Sequence, residues 1–326
     1  MRRLLFSLAF VLTLLTLLAA VVRGRPASAS TFDPRRLHPA LLRDLIDADA
    51  SALFPVIIEW RRDPNLAARA ATADDRLTRR RQVVAALQAD AAQGAASLRR
   101  FLEDATAQGL AHGVRAFWSS PIIALRARPE LIVALSARED VVQVRPDAPL
   151  FLEEARYRQA DAPASSSTLL WNLEMIDAGL ASDALGLDGH GVVVASLDTG
   201  VDWQHPALMR QYRGYNPKGP AIHAGNWYVA TNEPYVYPGD GHGHGTHTMG
   251  TILGADSAGH RSGVAPGARW IAVKLFTNDG VTYESWIHDA FQWILAPAGD
   301  PALAPDIVNN SWGSDVGGDE RFRADV

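Results

Sequence analysis

The sequence predicts an α/β protein in which a small α+β unit precedes a doubly wound parallel sheet, and three observations carry that expectation. Val192-Val193-Val194-Ala195-Ser196-Leu197 is a nearly unbroken apolar run that ends at Asp198. Such runs suit a parallel strand buried on both faces. From there on, strand and helix patterns alternate, as in a parallel sheet with helical crossovers. Charge also changes along the chain. Residues 31–164 carry 19 Arg and no Lys against 18 Asp and Glu, whereas residues 165–326 carry 8 Lys and Arg against 18 acids. Two balances so different mark two units, and neither contains the basic stripe that nucleic acid requires.

The elements follow in order. Arg2 and Arg3 precede an uncharged 19-residue stretch, Leu4 to Val22, and then Ala27-Ser28-Ala29. This is the layout of an export signal over residues 1–29, with cleavage after the small residues. An apolar stretch of that length also just spans a bilayer, so an uncleaved anchor is the alternative. After cleavage no membrane partner is expected. The chain has no cysteine, which excludes a disulfide framework and a thiolate zinc site.

Residues 30–150 form the expected α+β unit. A strand is predicted at Leu53 to Trp60. A helical repeat follows over Asp75 to Gln108, with Leu77, Val84, Leu87, Ala91, Leu98 and Leu102 on its apolar side and Gly94 weakening the middle. A strand at Arg115 to Arg126, a short helix at Pro129 to Ser136 and a strand at Val141 to Arg145 complete it. Residues 151–168, rich in charge and then in Pro, Ala and Ser, read as an exposed linker holding a processing site. In residues 169–326 the expected elements are the Val192 strand, a buried helix at Gly245 to Leu253, and a strand at Trp270 to Phe276. An amphipathic helix at Thr282 to Ala296 with Thr282 as its N-cap follows, and then a strand at Asp306 to Trp312.

Two segments carry chemistry. Asp198 of Asp198-Thr199-Gly200 sits where a buried strand ends, the place where open parallel sheets put their sites. A residue there can also simply cap its own turn. Gly241-His242-Gly243-His244-Gly245-Thr246-His247 places three histidines among glycines just before an apolar helix. An imidazole there can act as a base if a buried carboxylate orients its other nitrogen, and Asp198 could supply it. The spacing of His242, His244 and His247 also admits zinc, although Thr246 stands where a familiar metallohydrolase pattern has an acid. An exposed glycine-rich loop is the plainest alternative.

Taken together, these segments resemble the subtilisin family. Asp198-Thr199-Gly200 is similar to the motif around the family's catalytic aspartate, and His244-Gly245-Thr246-His247 to its catalytic histidine motif. Val264-Ala265-Pro266-Gly267-Ala268 is similar to its turn before the next core strand. Asn310-Ser311-Trp312-Gly313 is similar to the family's substrate-binding segment. Stretches such as His205-Pro206-Ala207-Leu208 and Pro305-Asp306-Ile307-Val308-Asn309-Asn310 resemble one branch of that family.

The resemblance implies a secreted serine endopeptidase precursor acting on polypeptides through an Asp-His-Ser triad. Asp198 and His244 would be its catalytic pair, and Ser311, Trp312 and Gly313 substrate-binding residues. Residues 30–150 would be an inhibitor-like propeptide, the enzyme's own intramolecular partner. No Gly-Thr-Ser-Met-Ala serine segment occurs in the 326 residues, so the sheet is expected to be incomplete and the polypeptide inactive alone. A non-catalytic pseudoprotease or inhibitor-like protein is the alternative. No cofactor is implied. A structural calcium is an open option, but the position after His205-Pro206 that the family gives an acid is Ala207, and the spacing of Asp202, Asp240 and Asp256 makes no calcium loop.

Overall fold

The computed structural model describes residues 32–63, 65–152 and 169–313. The expected export signal, the linker from residue 153 and the tail from Ser314 lie outside them. In chain order the first half forms α1 (Pro39–Ile46), β1 (Phe54–Trp60), α2 (Leu66–Ala70), α3 (Arg76–Gly94), α4 (Ala96–Ala107), β2 (Ala111–Ala116), β3 (Ile122–Ala127), α5 (Pro129–Ser136), β4 (Val141–Pro146) and β5 (Pro149–Phe151). The second half forms α6 (Trp171–Met175), α7 (Ala178–Leu185), β6 (Val193–Asp198), β7 (Trp227–Val229), α8 (His244–Leu253), β8 (Arg269–Lys274), β9 (Val281–Tyr283), α9 (Glu284–Leu295) and β10 (Ile307–Asn309). Among the described residues no helix is long and apolar enough to cross a membrane.

Two compact units are present. The first comprises residues up to Arg61, Gly94–Ala116 and Pro121–Pro146. Its antiparallel sheet has the order β2-β3-β1-β4. Val56, Ile57 and Ile58 of β1 are all buried, as befits a strand with hydrogen-bonded neighbours on both sides. The expected helix over 75–108 is two helices, broken at Ala95, whose φ of −90° and ψ of 1° leave the helical region. The expected strand over 115–126 is an antiparallel pair, β2 and β3, that reverses at 117–121.

The second unit comprises Arg62–Gln93, Phe117–Ser120 and the chain from Asp147 on. Its four-stranded sheet has the order β10-β6-β8-β7, and every pairing is parallel. Helices cover both faces. Ala195 and Leu197 of β6 and Ile271 and Val273 of β8 pack with Ile287, Ala290, Phe291 and Ile294 of α9. Val194, Trp270 and Ala272 pack on the other face with Met249 and Leu253 of α8. Burying one such side chain is worth roughly 1.5–3 kcal/mol, and consecutive apolar residues are required because alternate residues face opposite layers.

Two expected boundaries shift. Thr282 does not cap α9. It lies buried in β9, and α9 is capped instead by Asp147, whose carboxylate accepts the Ser285 N–H at 3.0 Å and the Ser285 hydroxyl at 2.6 Å. A cap supplied from another segment leaves no local signature. The last strand, β10, is confined to Ile307–Asn309, so Ser311, Trp312 and Gly313 follow it rather than form it.

Candidate active site

Because side chains alternate along a strand, Asp198 shares the face of Val194 and Ser196, the one that meets α8. The carboxylate therefore points from the carboxyl end of β6 toward the start of that helix. It is fully buried. His244 is the first residue of α8, and its Nδ1 lies 2.7 Å from Asp198 Oδ1. An ionised carboxylate only accepts, so in the neutral ring this contact assigns the proton to Nδ1 and leaves the lone pair on Nε2. The Thr199 N–H also donates to Asp198 Oδ1 at 2.7 Å, and the Thr248 hydroxyl donates to Oδ2 at 3.2 Å. Burial pushes the Asp198 carboxyl above the ordinary range, and hydrogen bonds from His244, Thr199 and Thr248 offset only part of this.

The helix start is built to hold His244 still. The first N–H groups of a helix lack internal partners, and Gly243, the residue ahead of His244, has no side chain to serve them. The Thr199 hydroxyl accepts the Gly245 N–H at 2.9 Å. Asp240 accepts the N–H groups of Gly243 at 2.8 Å and Thr246 at 2.9 Å, and the hydroxyls of Thr246 and Thr199 at 2.7 and 2.8 Å. Gly245 and the Asp198-Thr199-Gly200 turn touch: a Cβ on Gly245 would lie 2.1 Å from the Gly200 carbonyl oxygen.

Thr199, Thr248 and Asp240 thus join the site, although the sequence offered only weak pointers to them. Asp240 sits four residues before His244, where a tertiary cap would be sought. Its carboxylate accepts N–H and hydroxyl donors. Asp202 likewise accepts the Gln204 N–H, and Asp256 accepts the N–H groups of Ala258 and His260. Among the described residues no group of three or more His, Asp or Glu could hold a metal ion. His242, His244 and His247 are not gathered into such a group, and neither are Asp202, Asp240 and Asp256. Trp312 reaches back to β6, where its Nε1–H donates to the Leu197 carbonyl at 2.9 Å, beside Asp198. The Ser311 hydroxyl bonds the Asn309 side chain at 3.2 Å, and Gly313 follows Trp312.

Asp240 and Asp198 should respond to acid with opposite signs. Burial pushes the Asp240 carboxyl up, but its N–H and hydroxyl donors more than offset this and hold it low. Its contribution is present above the ordinary carboxylate range and is lost as pH falls through its lowered value. Asp198, raised, contributes below the ordinary range and loses that contribution as pH rises through its raised value. Asp240→Asn is therefore expected to destabilise the chain by about 2 kcal/mol at pH 7, since an amide leaves donors unserved. It should also flatten the acid limb of stability. Urea midpoints from pH 3 to 8 check this, and an unchanged acid limb would remove Asp240 from the account.

Residues 189–325 match the subtilase family, Peptidase S8. The chain belongs to the subtilase family through this segment. Bacillopeptidase F of Bacillus subtilis is 38% identical over 258 residues, 75% of this chain and 18% of that protein. Subtilisin E of the same organism is 33% identical over 132 residues, 40% of this chain and 29% of that protein. The subtilase chain thus spans less than a third of either relative. The aligned stretch with Bacillopeptidase F is longer than the family segment itself and so reaches into the residues before it. The solved structure of fervidolysin from Fervidobacterium pennivorans, described as a keratinolytic enzyme related to subtilisin, superposes with a TM-score of 0.50 at 16% identity, covering 84% of this chain and 38% of that one. It shares the fold: a subtilisin-like α/β architecture with a parallel sheet.

Proposed function

We propose that these residues supply the aspartate and histidine of an Asp-His-Ser endopeptidase, exported as a precursor with a pro-unit ahead of the subtilase segment. The observation that carries the reading is the 2.7 Å contact between a fully buried carboxylate at a strand's carboxyl end and an imidazole at a helix start. In that role His244 Nε2 takes the proton of a serine hydroxyl as it attacks the peptide carbonyl, then returns it to the leaving amine. Asp198 keeps the ring oriented and stabilises the imidazolium.

A polypeptide substrate is supported by the strand next to this pair. β5 runs antiparallel to β9, Pro149 opposite Tyr283 and Phe151 opposite Val281, and the Leu152 N–H donates to the Gly280 carbonyl at 2.8 Å. His242, whose ring stands edge-on to that of His244 at 6.3 Å, lies beside Gly280. Adding an extended segment to a sheet edge is a common way to recognise a peptide. A substrate would align on β9 as residues 149–152 do, and those residues would be the pro-unit's own occupant of that edge before processing in 151–168. Ser311, Trp312 and Gly313 would line the approach from the β10 side.

A serine-directed fluorophosphonate tests the reading. The 326-residue polypeptide, which has no Gly-Thr-Ser-Met-Ala segment, is expected to stay unlabelled. A polypeptide that continues these residues into such a segment is expected to label, and His244→Ala should abolish that labelling. Labelling of the 326-residue chain, or labelling indifferent to His244, would sink the proposal and favour a non-catalytic, inhibitor-like role.

A further inference from the structure

One buried charge near Asp198 plays no part in the triad. Lys274 ends β8, directly opposite Asp198 in the parallel register. It shares the face of Trp270 and Ala272, the same face on which Asp198 meets α8. Lys274 is fully buried, the one charge after the exposed Arg269 in a strand whose interior, Trp270 to Val273, is apolar. Burying an ammonium is costly unless it is closely partnered, and a methionine would fill the same space without that cost. The fold itself therefore does not call for the charge.

The partners of Lys274 lead to the catalytic turn. Its Nζ donates to the Thr199 carbonyl at 2.7 Å and to Asn278 Oδ1 at 2.9 Å, and it lies 3.2 Å from Glu233 Oε2 and over the Tyr235 ring at 4.5 Å. Glu233 Oε1 in turn accepts the Asn278 N–H at 3.1 Å. Thr199 is the hub. Its carbonyl takes the ammonium, its N–H holds Asp198 Oδ1, and its hydroxyl joins Gly245 to Asp240. The backbone supports the same link, because the N–H groups of Leu275 and Phe276 both donate to the Asp198 carbonyl, at 2.7 and 3.1 Å. Burial draws the Lys274 ammonium below its ordinary range, while Glu233, Asp240 and Asp198 pull it back only in part.

We propose that Lys274 is a positioning residue for the Asp198–His244 pair: its ammonium pins the 198–200 turn through the Thr199 carbonyl and supplies the positive field that keeps the buried Asp198 ionised. Glu233 tempers that field from the outer side, and Asp240 faces it from the loop before α8. The proposal rests on the reading of Asp198 and His244 as the working pair, but its test needs no turnover. It can therefore fail while that reading stands.

The test follows the carboxyl carbon of Asp198 by NMR in the 326-residue chain labelled at aspartate, through an acid titration. Lys274→Met removes the positive charge at nearly constant volume, and the Asp198 midpoint is expected to rise by on the order of one pH unit. Glu233→Gln removes the tempering negative charge but keeps the acceptor for Asn278, and the midpoint is expected to fall. A packing role for Lys274 would not give shifts of opposite sign. Midpoints that stay put in both variants, or move in the same direction, overturn the proposal. If Lys274→Met loses its cooperative unfolding transition, Glu233→Gln decides alone: a fall supports the field and no movement overturns it.

Discussion

Asp198→Asn, introduced into a serine-bearing form of this subtilase, is expected to lower kcat by about 10⁴-fold with KM nearly unchanged; the size is that found for the aspartate's role in other triads, subtilisin among them, and is not drawn from this geometry. The direction is drawn from it. Asp198 Oδ1 now receives the imidazole Nδ1–H and the Thr199 N–H, and Oδ2 receives the Thr248 hydroxyl. An amide keeps its oxygen where two donors already converge and offers an NH₂ group to the third, or turns over and offers NH₂ to Nδ1. In the second case Nδ1 becomes the acceptor, the proton moves to Nε2, and the nitrogen that should receive the serine proton already carries one. The fold is expected to be preserved, and so is the substrate alignment proposed on β9, since neither β9 nor Trp312 changes. Steady-state kinetics on a peptide substrate check this. A loss confined to tenfold would mean that the carboxylate does not set the tautomer, and that the 2.7 Å contact is merely structural.

The parallel sheet was legible because of how it is buried. β6 is covered on both faces, by α8 and α9, so its residues need no polar alternation and the apolar run shows in the sequence. The same logic marks Asp198, the first charge after that run. The stripe of Ile287, Ala290, Phe291 and Ile294 made α9 equally plain. The helix break at Ala95 was only hinted at, by Gly94 beside it, because the alanines on both sides favour a continuous helix. The cap on α9 was hidden too, since Asp147 is 138 residues from Ser285. Thr199, Asp240 and Lys274 show a general limit. Asp240 holds Gly243 and Thr246 close in sequence, but Thr199 meets Asp240, Gly245 and Lys274 from 41 to 75 residues away, so only the register of β6 on β8 and the seating of α8 bring the three together. For Lys274 a pointer did exist, a single cation inside Trp270–Phe276, but a strand pattern alone cannot tell a buried lysine at a strand's end from an exposed one.

The seating of α8 against the Asp198 turn also sets the second large effect. A Cβ on Gly245 would lie 2.1 Å from the Gly200 carbonyl oxygen and 3.1 Å from Asp198 Cβ. The first obstacle is backbone, which cannot swing aside as a flexible side chain does, and Gly200 itself is held at a φ of +107° against Gly239. Gly245→Ala must therefore push the first turn of α8 away from β6. The expected cost is about 3 kcal/mol or more, in the range of overpacked cores, and the His244–Asp198 hydrogen bond should open with it. Gly250→Ala, in the same helix, meets nothing within 4 Å and should stabilise by up to about 1 kcal/mol through helix propensity. The two exchanges share chemistry and helix, so their difference isolates contact with the Asp198–Gly200 turn. Urea unfolding of both variants reads the energies, and the Nδ1–H proton resonance of His244 reads the geometry. It is expected to persist in Gly250→Ala and to vanish in Gly245→Ala. If Gly245→Ala unfolds at the unmodified midpoint with that resonance in place, the helix is free to shift, and close seating of α8 on the turn is not what holds the pair together.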